Sequence, residues 1–188
     1  MGPDYGRTRT INATILEMKS REFTRGSQEI VVIAHNIRSI MNLGSIVRTA
    51  EGFGVSTVFT TGWTASPDKG LPHVQKKMAG ELHKTALGAE DIVAIHYRED
   101  VSDLLGDLKQ DGYRIVGLEQ SSRSIPLPDY QPPDKIALLL GEEVGGITAE
   151  LLELCDDTVE IPMFGHKESF NVSVATGIAL YELARETI

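Results

Sequence analysis

Three short segments hold the side chains whose types and spacing could do chemistry. The first is Ile161-Pro-Met-Phe-Gly-His-Lys-Glu-Ser-Phe-Asn-Val-Ser-Val-Ala-Thr-Gly-Ile178, where Ser169 and Asn171 open an apolar helix after a polar loop. A helix start presents unpaired backbone N–H groups, and hydroxyl and amide side chains there either cap the helix or meet a ligand. The second is Leu138-Leu-Leu-Gly-Glu-Glu-Val-Gly-Gly-Ile147, an apolar strand running into a glycine-rich turn. Glycine lets the backbone approach a ligand closely. No Gly-Lys-Ser/Thr follows, so this is not a Walker loop, and the G-x-G-x-x-G spacing of a dinucleotide fingerprint is absent. Adjacent Glu142 and Glu143 would repel a triphosphate, so a ligand with a positive centre is easier to place. The third is Asn42-Leu-Gly-Ser-Ile-Val-Arg-Thr-Ala-Glu-Gly-Phe-Gly54, a helical pattern with Arg48 among apolar neighbours. An arginine there either snorkels to water or points at an anion.

The elements that must position these groups alternate along the chain. Glu29–Ala34, Ser56–Thr60, Asp91–His96, Tyr113–Leu118, Lys135–Leu140 and Asp157–Ile161 read as strands. Helices are expected from Asn42, as N-cap, to Gly52, over Val74–Leu87 and Val101–Gln110, from a Thr148 cap to Leu154, and from Ser169 to about Glu186. Thr61–Gly70 and Glu119–Asp134 read as loops, and residues 1–27 as an arm with a short helix over Asn12–Glu22, leaving 28–188 as one domain. Such alternation implies an α/β fold, with a mostly parallel sheet and helices on both faces. Ligands then bind beyond the carboxyl ends of the strands. The loops after Leu118, Leu140 and Ile161 all begin there.

Composition narrows the classes further. With 188 residues and 41% hydrophobic content the chain has the profile of a globule. No apolar run approaches the roughly 20 residues of a membrane span. The N-terminal residues resemble neither a secretory signal nor a myristoylation site. Cys155, the single cysteine, is expected to be a small buried residue on a helix; it excludes an intrachain disulfide, and a cytoplasmic setting fits. No His, Asp and Cys spacing suggests a metal, and no Ser-His-Asp set stands out. A net charge of −9 argues against nonspecific nucleic-acid binding. The charge is uneven, however: Lys76, Lys77 and Lys84 cluster with His73 and His83, and Arg38 and Arg48 lie near the Asn42 segment.

Taken together, the three segments resemble the motifs of the SpoU RNA 2′-O-ribose methyltransferases of the SPOUT superfamily. Asn42, Gly44, Arg48, Thr49 and Ala50 meet the first motif. Gly141, Glu143, Gly146 and Ile147 meet the second. Ile161, Pro162, Met163, Gly165, Ser169, Asn171, Val172, Ser173, Val174 and Ala175 meet the third. Val144 and Phe170 depart from the residues usual at their positions. The resemblance covers about Ile30 to Leu183 and implies a C-terminal deep trefoil knot and a homodimer built through it. It implies S-adenosylmethionine as methyl donor, held near Leu118, Gly141, Glu143, Ile161, Met163, Ser169 and Phe170. It implies transfer to a ribose 2′-hydroxyl of tRNA or rRNA, with Arg48 at that hydroxyl or a substrate phosphate. Asn42 and Glu143 would position Arg48 and the loop, while Ser169 and Asn171 shape the site. The alternatives are a knotted methyltransferase acting on an RNA base, or a non-catalytic RNA-binding or assembly protein. A flavodoxin-like nucleotide-binding module is a weaker one.

Overall fold

Parallel strands covered on both faces read as unbroken apolar runs, and Ile30–Ala34 and Ile136–Leu140 are two of these. They form the centre of the sheet. In the computed structural model, which describes residues 28–67 and 69–185, the strands are β1 (Glu29–His35), β2 (Thr57–Thr61), β3 (Ala94–Arg98), β4 (Arg114–Leu118), β5 (Ile125–Pro126), β6 (Lys135–Leu140) and β7 (Asp157–Glu160). They lie in the order β3-β2-β1-β6-β4-β7-β5, every pair parallel. The helices are α1 (Ile40–Gly52), α2 (Pro72–Ala86), α3 (Val101–Gln110), α4 (Ala149–Leu152) and α5 (Val172–Ala184).

The two-residue period of a strand divides the core between the faces. Ile30, Val32 and Ala34 of β1 and Ile136, Leu138 and Leu140 of β6 face α1, α2 and α5. Val31, Ile33, Ala137 and Leu139 face α3 and α4. Each fully buried Leu or Ile contributes about 2 kcal/mol relative to an exposed one. The loop after β1 therefore leads to one face, through α1, and the loop after β6 to the other, through α4. That divergence between neighbouring strands opens a crevice at their carboxyl ends, the usual binding place in such sheets.

The structure departs from the sequence reading at several boundaries. Ser39, not Asn42, caps α1: its Oγ accepts from the Asn42 N–H at 3.3 Å, which places Asn42 inside the first turn. The third strand starts later than expected, after a 3₁₀ turn at Ala89–Asp91 entered through Gly88 at φ +94°. The polar stretch after β4 contains β5 and a 3₁₀ turn at Leu127–Asp129. Pro126 is tolerated because β5 is an edge strand, where a missing N–H breaks no ladder. The Thr148-capped helix is a single turn, α4. The final helix starts at Val172 with Asn171 as its cap, so Ser169 belongs to the preceding loop. Cys155 lies just past α4, half-buried, and burial pushes its thiol up to about 11. The expected helix over Asn12–Glu22 lies outside the described residues.

Candidate active site at the carboxyl ends of the strands

A hydrogen-bonded line joins the three motif segments. Glu143, in the turn after β6, receives the Asn42 side-chain amide at 2.9 Å. It also receives the backbone N–H groups of Arg38 at 3.4 Å and Ser39 at 3.5 Å, from the loop between β1 and α1. Asn42 Oδ1 in turn accepts from the Asn171 side-chain amide at 3.2 Å. Asn171 Oδ1 completes the line by accepting from the Ser173 N–H at 3.0 Å, capping α5. Partial burial would raise the Glu143 pKa, but hydrogen bonds from Asn42 and from the backbone N–H groups outweigh it and hold the carboxyl below its ordinary range. Glu143 is thus a fixed anion and a poor proton acceptor at neutral pH.

The turn carrying Glu143 is held closed by its own backbone. Glu142 and Gly146 exchange N–H···O bonds of 3.2 and 3.0 Å. A Cβ on Gly141 would stand 2.2 Å from the Gly146 carbonyl carbon, so the chain closes here only with glycine. Glu119, just past β4, accepts the Ile147 N–H at 2.8 Å and the Gln120 N–H at 2.9 Å. Gln120 reaches across to the Glu168 carbonyl at 2.7 Å, tying the loop after β4 to the loop after β7.

Between these loops lies a cavity of about 210 Å³, open to solvent. Leu118, Gly141, Glu143, Ile161, Ser169 and Phe170 line it, so six of the expected donor-site residues share one wall system. Met163 does not line it. The remaining lining combines apolar Leu140, Val172 and Ala175 with carboxylates of Glu119, Glu142 and Glu160. That mixture suits a ligand with an apolar ring and a positive centre, and it opposes a polyphosphate. Glu119 and Gln120 escaped the sequence reading; their position directly after a buried strand, equivalent to Gly141 and Ile161, was the signal available.

Arg48 lies apart from this line. It is exposed on α1, and among the described residues its guanidinium has no hydrogen-bond or ion-pair partner. Asn42 and Arg48 are six positions apart, which on a 3.6-residue helix turns their side chains onto different faces. Its chemistry is therefore available to something outside the fold as described. Close to the Asn42 segment, His35 is held neutral: burial lowers its pKa, partly countered by the Glu142 carboxylate. Its ring nitrogens bond Thr61 Oγ1 at 2.8 Å and the Asn36 amide at 2.9 Å.

The sequence profile of the SpoU rRNA Methylase family matches residues 29–181, from the first residue of β1 into the last turns of α5. The chain belongs to the SpoU family. A tRNA (guanosine(18)-2′-O)-methyltransferase of Aquifex aeolicus is 30% identical over 159 residues, 85% of this chain and 70% of that protein. The Escherichia coli enzyme of the same name is 29% identical over 174 residues, 93% of this chain and 69% of its own. Among solved structures, the A. aeolicus TrmH/SpoU tRNA modifying enzyme superposes with a TM-score of 0.71 at 26% identity, over 93% of this chain and 82% of that one. An AdoMet-bound rRNA methyltransferase from Sinorhizobium meliloti gives 0.72 at 26% identity, over 82% of this chain and 55% of its own. In this SpoU chain the family match takes in the whole hydrogen-bonded line from Arg38 to Ser173 and every residue of the cavity wall.

Proposed function

We propose that this protein transfers a methyl group from S-adenosylmethionine to a ribose 2′-hydroxyl of RNA. The observation that carries the proposal is the convergence of the three motif segments, through Glu143, Asn42 and Asn171, beside a cavity whose lining suits a cationic ligand with an aromatic ring. The names of the relatives point to tRNA as the substrate class.

The donor supplies an electrophilic methyl on a sulfonium sulfur. Leu118, Leu140, Ile161 and Phe170 would enclose its apolar parts, and the carboxylates around them would favour its positive charge. Glu143 and Asn42 keep the turn after β6 fixed against α1, so the cavity wall is preorganised. Arg48, whose guanidinium has no partner among the described residues, would bind a substrate phosphate and so orient the hydroxyl; a guanidinium is a poor general base. Asn171 holds the start of α5 in register with Asn42, and Ser169 offers a hydroxyl at the cavity wall.

The homodimer belongs to the same reading. α5 is apolar on two sides: Thr176, Ala179, Leu180 and Leu183 are buried, while Val174 is 50% and Tyr181 63% exposed, with Ile178 between them. An uncovered apolar stripe of this kind on a helix marks a protein contact. A second copy covering it would sediment as a dimer, and Ile178→Asp would shift the protein toward monomer. The trefoil threading expected for the family also belongs to this reading, supported by the likeness to the TrmH/SpoU structure. Among the described residues no helix is long and apolar enough to cross a membrane.

The experiment is incubation with methyl-labelled S-adenosylmethionine and separate pools of unmodified tRNA and rRNA, followed by digestion and nucleoside mass spectrometry. A labelled 2′-O-methylnucleoside is the expected product. A labelled base would replace the ribose reading with base methylation. Absence of both labelled product and donor binding would refute the enzyme reading.

A further inference from the structure

The loop after β2 presents a tryptophan that nothing in the described fold uses. Trp63 is 64% exposed, and among the described residues no ring or cation packs on it. Its backbone, by contrast, is held from several sides. The Trp63 N–H donates to Asn36 Oδ1 at 3.2 Å. The Gly62 carbonyl accepts from Lys69 Nζ at 2.7 Å and from the Tyr97 hydroxyl at 3.3 Å. Thr64 Oγ1 donates to the Ala34 carbonyl at 2.9 Å and accepts from the Ile37 N–H at 3.0 Å. Gly62 takes φ +64°, and a Cβ there would stand 2.0 Å from Asn36 Oδ1. A large apolar ring on so fixed a base, left uncovered, loses little freedom when a partner stacks on it.

The surroundings select the partner. From Gly62 to Ala79 the sequence places Lys69, Lys76 and Lys77 against the single acid Asp68, in a chain of net charge −9. Lys76 and Lys77 are exposed on α2, and Lys69, stacked 4.6 Å from the Tyr97 ring centroid, spends one of its three donors on Gly62. Of the other members of the earlier cluster, Lys84 pairs with Glu81 and His83 with Glu90. A flat aromatic face beside Lys69, with exposed Lys76 and Lys77 on the helix that follows and none of the three ion-paired among the described residues, is an arrangement that suits unpaired nucleic acid, by base stacking and phosphate contact. The platform also adjoins the candidate site, because Asn36 holds Trp63 while Arg38, two residues on, bonds Glu143.

We infer that Trp63, with Lys69, Lys76 and Lys77, forms a subsite for an unpaired RNA nucleotide flanking the one that enters the active site. The inference rests on the RNA reading of that site and adds to it the surface that receives the strand.

Trp63 is the chain's single tryptophan, so intrinsic fluorescence reports on this residue alone. Full-length protein is titrated with an unpaired oligoribonucleotide of about 12 nucleotides and with a duplex of the same length. Saturable quenching by the unpaired strand, and weaker quenching by the duplex, is expected. Binding followed with labelled RNA should weaken about tenfold in Trp63→Ala and less in Trp63→Phe. Lys76→Gln with Lys77→Gln should make the slope of log affinity against log salt shallower by about 1.4, at about 0.7 per phosphate contact on a single strand. In a substrate RNA, Trp63→Ala should raise KM with the smaller change in kcat, donor affinity by calorimetry serving as the check on folding. Wild-type methyl transfer to ribose with an unchanged KM in Trp63→Ala would overturn this subsite and leave the enzyme reading standing. Quenching that depends on protein concentration and not on RNA would assign the surface to a second copy of the chain and overturn it as well.

Discussion

The Asn42–Glu143 contact makes a quantitative claim about what fixes the turn after β6. Asn42→Asp is nearly isosteric, but it replaces an amide donor 2.9 Å from Glu143 Oε1 with a second carboxylate. Two like charges about 4 Å apart repel by about 1 kcal/mol in bulk water and about 4 kcal/mol at the effective dielectric of a protein surface. Asn42 is half-buried and Glu143 exposed, so the lower part of that range applies. Loss of a partly solvated hydrogen bond to a charged group adds about 1 kcal/mol. The variant should therefore be destabilised by about 2 kcal/mol, or about 4–8 °C in Tm for a chain of this size. Asn42→Ala adds no charge but loses both the bond to Glu143 and the more exposed one accepted from Asn171, so it should cost about 1.5 kcal/mol, less than the aspartate. The assay is chemical denaturation of both variants at neutral pH and low salt, alongside donor affinity by calorimetry. The introduced carboxyl has a folded pKa raised by its neighbour. Its penalty is full above that pKa and disappears as pH falls below the ordinary carboxylate range, so the gap between the two variants should close near pH 4. Adding Glu143→Gln should also close it, because the glutamine amide can donate to the new carboxylate. If Asn42→Asp proves as stable as Asn42→Ala at neutral pH and low salt, the electrostatic account of this contact is wrong.

Arg48→Ala should abolish methyl transfer while leaving donor affinity within about threefold and stability within about 0.5 kcal/mol, since the side chain is exposed and unpaired within the described fold. Loss of donor binding in that variant would contradict its assigned role. Gly141→Ala drives a Cβ to 2.2 Å from backbone and should cost more than about 2 kcal/mol and weaken donor binding, measured by denaturation and calorimetry. Asp157 is held below the usual carboxylate range by the Arg114 guanidinium at 2.5 and 3.1 Å, against desolvation and with help from Tyr130. Its contribution is present above the ordinary carboxylate pKa and lost as pH falls through the lowered one, so Asp157→Asn should flatten the acid limb of a stability–pH curve. Cys155, pushed up to about 11, should alkylate at pH 8 about 100-fold more slowly than a free thiol, followed by mass spectrometry.

The sequence by itself determined the class of fold and the identity of the three motif segments. Strands such as Lys135–Leu140 are legible because burial on both faces leaves an unbroken apolar run, and α3 because its leucines recur with helical period. Gly141 and Gly146 could be marked for close approach from their type alone. What the sequence could not decide was which partners the polar groups find. Ser39 and Asn42 are both good caps; packing of α1 on α2 and α5 sets the start of the helix and frees Asn42 to meet Glu143, 101 residues away in sequence. Ser169 and Asn171 compete for the same role, and the bond from Asn171 to Asn42 goes with the later start. β5 was illegible because two residues containing a proline carry no period, and the edge of β7 alone makes them a strand. Glu119 joined the site only when the sheet order set β4 beside β6, bringing its carboxylate to the Ile147 N–H. Local pattern encodes which face a residue prefers; long-range pairing depends on the order in which strands assemble, and no window of sequence contains that.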